Sequence, residues 1–321
     1  MTFTLGTPWI PGVAATGQDD ASKMVDLALA SGVNFFDTAD GYSGGDAETA
    51  LGVAFKGRRA DAVICTKIGF RQSDRLTDAG LSRAHITASV DGCLDRLGTD
   101  YIDLLVLHKT DFTTTFEETA RTLDDVVRAG KVRYVGCSNW PAWMAAEAVT
   151  FQRTNGLAPF VAGQYLYNAV NRDIEVDVLP MGAKLGVGLM AWSPLAGGLL
   201  TGKYDPADPS TASGRLSESN LLQVAPSTAT AVIDALKEIA AAHDATPAQI
   251  ALAWILAKDR SHSVIVGANS VSQREGSLNA AGITLRGDEV AAIDAGAGPD
   301  RRYPEWFDQM MTDETFTKAL S

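Results

Sequence analysis

The feature that most limits the fold of this 321-residue chain is a repeated alternation of short apolar runs with longer helical segments. Each run is bounded by Gly, Pro or polar residues, which is typical of strands covered on both faces. Strands that alternate with helices indicate a parallel sheet, either doubly wound or closed into a barrel. The predicted strands are Phe3–Leu5, Val33–Asp37, Ala62–Lys67, Tyr101–His108, Val132–Cys137, Phe160–Gln164, Gly188–Trp192 and Ser263–Val266.

Eight strands favour the closed barrel, so the sequence predicts an α/β fold of the (β/α)8 TIM-barrel class, with residues 1–321 forming a single domain. Thr246 and Pro247 have the pattern of a helix N-cap followed by a first-turn proline. The predicted helices are Asp19–Ala30, Asp46–Lys56, Ser82–Leu97, Phe116–Ala129, Pro141–Thr154, Ile174–Leu185, Thr228–His243 and Pro247–Ala257.

One connection breaks this rhythm. Residues from about 196 to 227 are rich in Gly, Pro, Ser and Asp and contain no obvious long helix. Loops of this length in compact domains are usually functional or mobile. Because this loop follows a strand end, on the face where barrel active sites form, we interpret it as a cover for a cofactor or substrate. A tolerated surface insertion is the alternative.

The composition of the chain limits the classes of molecule that it could bind. A formal net charge of -12 opposes binding to nucleic acid or to an anionic membrane surface, so we expect a small-molecule substrate. The three cysteines form no CxxC pair and fit a reduced, cytoplasmic setting. Neither a signal peptide nor a membrane-spanning stretch is apparent, and no metal site is predicted. The oligomeric state stays open.

Four polar residues are predicted to converge on one rim of the barrel. Asp37, Lys67 and His108 each end a strand, and Tyr42 lies five residues beyond Asp37 on the same loop. The carboxyl ends of neighbouring barrel strands meet at one face. Taken singly, the Asp and Lys could form a structural ion pair, Tyr42 could be a surface aromatic, and the His could be structural. Their joint placement favours an active site.

The chemistry of these residues suggests a role for each. A phenol has a pKa near ~10 and is therefore a weak proton donor at neutral pH. An adjacent ammonium stabilises the phenolate, so Lys67 can activate Tyr42. A carboxylate at Asp37 favours the charged form of an enclosed Lys67. A neutral imidazole at His108 can donate a hydrogen bond to a substrate oxygen and orient it.

The residues around these positions carry a spaced set of motifs that resembles the aldo-keto reductase family over nearly the whole chain. The matching segments are Phe35–Tyr42, Thr66–Lys67, Leu104–His108, Gly136–Asn139, Gln164–Asn168 with Asn171–Arg172, and Trp192–Lys203. The resemblance implies a (β/α)8 barrel and a nicotinamide cofactor extended across the rim. It also implies Tyr42 as general acid for carbonyl reduction or base for alcohol oxidation.

The resemblance further implies a cofactor site. Ser138, Asn139 and Gln164 would bond the carboxamide, Trp192 would stack on the nicotinamide, and the long loop would approach the pyrophosphate. The full set of implied cofactor residues is Gly6, Thr7, Ser138, Asn139, Gln164, Trp192, Ser193, Pro194, Leu195, Gly197, Lys203, Gly267, Asn269, Gln273 and Ser277. A GxGxxG fingerprint at the start of a βαβ unit, which a Rossmann site would require, is not found.

Two departures from the family pattern matter. Similar proteins often carry Arg or Lys at the positions of Asn269 or Gln273, where a cation would pair with the 2′-phosphate of NADP(H). Asn269 and Gln273 are uncharged, which weakens phosphate discrimination. NADP(H) remains the cofactor that the resemblance implies, NAD(H) or dual use is the alternative, and the adenine contacts near Gly276 and Ser277 are open. Many relatives also begin with a hairpin that plugs the barrel floor. This plug is expected to be shortened or absent.

Three functional hypotheses remain. The first is a reductase of aldehydes or ketones, and the second is an NAD-preferring dehydrogenase of a sugar or secondary alcohol that uses the same residues in reverse. The third, from another class, is a cofactor-binding regulatory subunit. Trp9, Phe112 and Trp140 are predicted to line an aromatic substrate pocket, although rim tryptophans such as Trp143 also serve as packing.

Overall fold

The structure is a computed structural model that describes residues 17–212, 214–218, 224–258, 261–267, 271–299 and 303–311. Within these ranges seven strands form one parallel sheet whose order follows the sequence. The strands are β1 (Phe35–Asp37), β2 (Val63–Ile68), β3 (Ile102–Leu107), β4 (Val132–Ser138), β5 (Phe160–Leu166), β6 (Gly188–Trp192) and β7 (Ser261–Val264).

Helices connect successive strands, so the chain is built from repeated βα units. The longer helices are α1 (Gln18–Ala30), α2 (Asp46–Ala54), α3 (Arg83–Leu97), α4 (Phe116–Arg128), α5 (Ala142–Thr154), α6 (Val178–Leu185), α8 (Pro226–Ala242), α9 (Pro247–Leu256), α10 (Val271–Leu278), α11 (Gly287–Gly296) and α12 (Glu305–Met310), and α7 (Arg215–Glu218) is a single turn. Short 3-10 turns lie at Tyr42–Gly45, Arg59–Asp61, Asp173–Glu175, Ala196–Thr201, Pro209–Thr211 and Asn279–Gly282.

The sheet curls around an interior. The side chain of Gln164 on β5 donates a hydrogen bond of 2.8 Å to Asp37 on β1. In a flat sheet these strands would lie roughly 19 Å apart, at about 4.8 Å per neighbour. An apolar cluster inside the curl joins β2, β3, β6 and the residue after β7, through Cys65, Leu104, Val106, Met190 and Ile265. The fold is therefore the predicted α/β (β/α)8 barrel.

Two larger apolar layers pack the helices onto the outside of the sheet. Local signals set the helix ends: Ser82 and Thr115 cap α3 and α4 with their side chains, and Thr246 forms a full capping box with Gln249 ahead of α9. The cysteines Cys65, Cys93 and Cys137 are all buried and unpaired with one another. In the described ranges, no helix combines the length and apolar character needed to cross a bilayer.

The predicted strands and the longer predicted helices agree with these elements to within a few residues. The segment predicted as the first strand, Phe3–Leu5, lies outside the described residues. So does the stretch ahead of Leu5-Gly6-Thr7, where the floor plug is expected to be shortened or absent. The long connection between β6 and α8 contains two 3-10 turns and α7, and α8 begins at Pro226. Helices α10, α11 and α12 were not predicted.

Candidate active site

The predicted catalytic residues all lie at the carboxyl ends of three adjacent strands. Asp37 is the last residue of β1, Lys67 is the last but one of β2, and His108 directly follows β3. Tyr42 opens a 3-10 turn after β1, and the residues behind it, Ser43 to Gly45, all adopt positive φ. This left-handed turn brings the chain sharply back over the strand ends, where it places Tyr42 beside Lys67.

Lys67 is the centre of the site. Its buried ammonium donates to Asp37 Oδ2 at 2.7 Å, to the carbonyl of Thr38 at 2.8 Å and to the hydroxyl of Tyr42 at 3.1 Å. Three acceptors match the three donors of an ammonium group. The nitrogen also lies 4.6 Å from the centre of the Tyr42 ring. The arrangement fixes a positive charge against the phenolic oxygen.

The electrostatics follow from this contact. Burial disfavours a charge on Lys67, but the carboxylate of Asp37 outweighs it and holds the pKa of the lysine above its usual value. Burial raises the pKa of Tyr42, while the charge and hydrogen bond of Lys67 act to lower it. The net direction is upward, in contrast to the lowering expected from the ammonium alone. Tyr42 is therefore a phenol at neutral pH and can donate a proton.

His108 faces the same pocket as a neutral base. Burial and, secondarily, the charge of Lys67 lower the pKa of its imidazole to about 2. Its ring meets Tyr42 edge-on at 5.7 Å between centroids, and Phe70 at 4.3 Å. Nδ1 of His108 is buried without a hydrogen-bond partner. An uncharged imidazole beside a phenol suits a substrate oxygen that would be bonded by both.

A chain of hydrogen bonds connects the predicted carboxamide-binding residues to Asp37, the ion-pair partner of Lys67. Gln164 uses its amide nitrogen on Asp37, and its backbone carbonyl accepts from the hydroxyl of Ser138 at 3.0 Å. Asn139 donates to Ser138 at 2.9 Å and accepts from the indole of Trp192 at 3.0 Å. The structure thus brings these four predicted residues together with Asp37 in one network across β1, β4, β5 and β6.

The predicted phosphate loop is compact. Ser193, Ala196, Gly197 and Gly198 have positive φ, and the N–H of Gly197 donates to Ser193 Oγ at 3.3 Å. Successive turns of this kind form concavities that suit anions. Pro194 is buried, Leu195 is half-buried, and Lys203 is exposed at the end of the loop, 4.7 Å from the ring centre of Tyr204.

Several other predicted residues lie on other elements or outside the described residues. Gly267 is exposed beyond β7, and Gln273 and Ser277 lie in α10, although the side chain of Gln273 lies outside the described part. Gly6, Thr7, Trp9 and Asn269 also lie outside the described residues. Phe112 is 78% exposed, whereas Trp140 is 4% exposed and packs edge-on against Phe116 and Phe160. These contacts place Trp140 in the packing layer.

Two residues near the site were missed by sequence reasoning. Phe70 packs on His108, and its position two residues after β2 was the available signal. Arg215 is half-buried, and burial lowers its pKa while Tyr42 acts in the opposite direction, so it lies within electrostatic range of Tyr42. Loop composition alone gave no signal for Arg215.

In the described ranges, no group of three or more His, Cys, Asp or Glu side chains is placed so that it could hold a metal ion.

The chain is similar in sequence to several known proteins. The sequence model of the Aldo/keto reductase family matches residues 2–297. A probable voltage-gated potassium channel subunit beta from Oryza sativa subsp. japonica is 36% identical over 79% of each chain. Norsolorinic acid reductase from Aspergillus flavus is 31% identical over 94% of this chain and 78% of its own. The chain belongs to the aldo/keto reductase family, oxidoreductases that generally use a nicotinamide cofactor.

Proposed function

We propose that this protein reduces an aldehyde or ketone with a nicotinamide cofactor and that Tyr42 donates the proton. The observation that carries the proposal is the 3.1 Å contact between the Lys67 ammonium and the Tyr42 hydroxyl, inside a buried site backed by Asp37. A phenol that gives up its proton here leaves a phenolate next to a fixed positive charge. That charge is in place before the reaction and needs no reorganisation.

The roles of the other residues follow from their positions. His108, neutral over the working range, can donate a hydrogen bond to the same substrate oxygen and hold the carbonyl towards Tyr42. Asp37 keeps Lys67 charged. In the oxidative direction the Tyr42 phenolate accepts the proton of the alcohol, so the same residues serve a dehydrogenase by microscopic reversibility.

The residues of the rim fit a dinucleotide. Ser138, Asn139 and Gln164 offer amide and hydroxyl groups for a carboxamide, and Trp192 offers an indole face. The left-handed turns at Ser193 to Gly198, with Lys203 and Arg215 nearby, suit a diphosphate. The cofactor supplies the hydride when bound. We propose NADP(H) from the family pattern, with NAD(H) or dual use as the alternative, because Asn269 and Gln273 replace the usual cation.

The substrate side favours a ring or other flat apolar carbonyl compound. Tyr42, His108 and Phe70 form an aromatic corner at the site, with ring centroids 4.3 to 5.7 Å apart along the chain of contacts. Such faces also stack on sugars, so a sugar or secondary-alcohol dehydrogenase uses the same corner. The similarity to norsolorinic acid reductase supports norsolorinic acid as the first substrate to try.

A second candidate function is a cofactor-binding regulatory subunit. It is favoured by relatives described as probable potassium channel beta subunits at 36% and 37% identity. The intact Asp37–Lys67–Tyr42 contacts weigh against it, since a subunit that only binds the cofactor does not need a proton donor.

Cofactor titration followed by turnover separates these candidates. The dissociation constants of NADPH and NADH are measured from quenching of tryptophan fluorescence, and the preferred one is used with a panel of aromatic ketones, aldehydes, sugars and secondary alcohols. We expect steady-state turnover with at least one aromatic carbonyl compound. Tight cofactor binding with no turnover on any member would favour the regulatory subunit. Faster alcohol oxidation with NAD would favour the dehydrogenase.

A further inference from the structure

Behind the Tyr42–Lys67 pair, between the strand ends and helices α2 and α3, lies a buried charged group that the proposed reaction does not use. Glu48 on α2 is fully buried. One of its oxygens accepts from Arg96 Nε on α3 at 2.7 Å, and the other accepts from the hydroxyl of Thr66 on β2. Gly45, with φ of +100, lets the Arg96 side chain pass close over the turn that carries Tyr42.

Asp40 lies close to this group but, unlike Glu48, makes no side-chain hydrogen bond of acceptable geometry. Its side chain is 1% exposed, yet neither carboxylate oxygen has a hydrogen-bond partner of acceptable geometry. Most buried polar atoms in proteins have such a partner, so an unpartnered buried carboxyl needs an explanation. Asp40 stands two residues before Tyr42, and its backbone N–H donates to the carbonyl of Lys67 at 3.0 Å. The backbone of Asp40 is therefore hydrogen-bonded to that of Lys67, and the chain carries it close to Tyr42.

We propose that Asp40 is a positioning residue that acts through Lys67: the charge on its buried, unpartnered carboxyl sets how strongly the Lys67 ammonium favours the phenolate of Tyr42. The proposal rests on the proposed function, because it assigns Asp40 a part in the proton transfer of Tyr42. No hydrogen bond of acceptable geometry ties the Asp40 oxygens to another element, as a purely structural role would require.

The charged groups around Asp40 lie on α2, α3 and β2. Burial and the carboxylate of Glu48 raise the pKa of Asp40, whereas Arg96, the N–H of Gly41 and Lys67 lower it, with the balance at about 7. Cys93 on α3 is also within electrostatic range. Asp40 is thus mainly neutral below pH 7 and mainly charged above it.

The consequence for Tyr42 has a definite sign. A negative charge at Asp40 partly neutralises the field of Lys67, so it disfavours the phenolate and keeps Tyr42 protonated. A neutral Asp40 leaves the full field of Lys67 on the phenol. Asp40 therefore extends the range in which Tyr42 remains a proton donor towards higher pH. Removing the charge should shift that range downwards.

The first test is the pH profile of turnover. In Asp40→Asn the side chain keeps its shape but cannot ionise. We expect the alkaline fall of kcat/KM for carbonyl reduction to move to lower pH by about one unit, the order expected when a nearby unit charge is removed from a partly buried site. Asp103→Asn, a buried aspartate at the opposite end of the barrel, is the matched control and should leave the profile in place. A profile of Asp40→Asn that superimposes on that of the parent overturns the proposal.

The second test needs no turnover and uses the reciprocity of coupled sites. Protein labelled with 13C-carboxyl aspartate is titrated by NMR, and the Asp40 resonance is assigned by its loss in Asp40→Asn. We expect a midpoint near 7 in the parent. In Lys67→Met the midpoint should rise by about one unit, because a stabilising positive charge is lost. An unmoved midpoint overturns the proposal, and Arg59→Met, at the far end, is the control.

The two tests separate the proposals. If no substrate is turned over, the proposed function fails, but the NMR titration still decides whether Asp40 and Lys67 are coupled. If turnover occurs and neither measurement responds, only the role of Asp40 fails.

Thermal unfolding gives a third measurement. Because the raised pKa of Asp40 makes its charge unfavourable in the folded protein, we expect Asp40→Asn to raise the thermal midpoint at pH 8 more than at pH 5. An equal change at both pH values contradicts an unpaired charge.

Discussion

The two ends of the barrel each hold a buried aspartate, basic side chains and a tyrosine, but they join them differently. At the carboxyl ends of the strands, Lys67 pairs with Asp37 at 2.7 Å and reaches the hydroxyl of Tyr42. At the opposite end, Asp103 pairs with Arg59 at 2.6 Å and with Arg133 at 2.8 Å. Both guanidinium groups lie over the faces of Tyr101, at 4.1 and 3.8 Å from its ring centre.

The difference lies in which atoms meet. The guanidinium groups near Tyr101 contact its ring rather than its hydroxyl oxygen. Both also pair with Asp103 on β3, so this cluster connects β3 to β4 and to the segment before β2. The cation near Tyr42 contacts the oxygen that would exchange a proton. The oxygens of Asp103 are also used for structure, since one accepts from the backbone N–H of Ile64 at 2.9 Å. The same residue types therefore join strands at one end and, in the function we propose, provide an acid at the other.

Replacement of the cation at each end should give the largest contrast. Lys67→Met removes the charge that stabilises the Tyr42 phenolate, and we expect single-turnover hydride transfer to fall by about 1,000-fold, within the range attributed to acid–base groups. Arg59→Met should leave the rate per folded molecule within about twofold, because it touches only the distal cluster. Rapid-mixing absorbance at saturating cofactor measures both. Similar rate losses in the two variants would contradict the division of roles.

Removal of the distal carboxylate should affect stability instead. Asp103→Asn leaves the Arg59 and Arg133 charges without their shared acceptor, and we expect a loss of about 3 kcal/mol in the free energy of unfolding, the lower end for breaking a buried ion pair. Urea denaturation followed by circular dichroism measures the loss. Activity per folded molecule should be retained. A stable variant with impaired turnover would show that the distal cluster influences the site.

Acid should weaken the catalytic end through His108. Burial, with the charge of Lys67, lowers the pKa of His108 to about 2, while an unfolded histidine titrates near ~6.5. Below pH ~6.5 the unfolded state therefore binds more protons than the folded state. The free energy of unfolding falls as the pH is lowered from about 6.5 towards the folded pKa of about 2. Between pH 7 and 5 the parent should lose about 2 kcal/mol more than His108→Gln. Urea denaturation at both pH values tests this, and equal losses would mean that His108 is protonated in the folded protein.

Much of the catalytic end was predictable because barrel topology converts strand ends into neighbours. Asp37, Lys67 and His108 each end an apolar run, so periodicity and strand count placed them on one rim. The order of the strands and most helix bounds followed from the same pattern. Helices α10 and α11 were missed because they are short, contain glycine and carry only two large apolar residues each to mark a buried face.

The details of contact could not be predicted from spacing. Gln164 uses its amide nitrogen on Asp37, 127 residues away in the chain, which only the curl of the sheet reveals. A tryptophan after a strand end can face a pocket or the core, and Trp140 packs with Phe116 and Phe160. The upward net direction for the pKa of Tyr42 depends on burial, which the sequence does not give.

The most direct test of the central claim compares the two tyrosines, Tyr42→Phe and Tyr101→Phe. Phenylalanine keeps each ring and removes only the hydroxyl. The measurement is the single-turnover rate of carbonyl reduction at saturating cofactor, with the cofactor dissociation constant as the check on folding. We predict that Tyr42→Phe lowers the rate by at least about 1,000-fold with unchanged cofactor affinity, and that Tyr101→Phe changes it less than about twofold. A Tyr42→Phe protein that keeps a tenth or more of the parent rate would contradict the account.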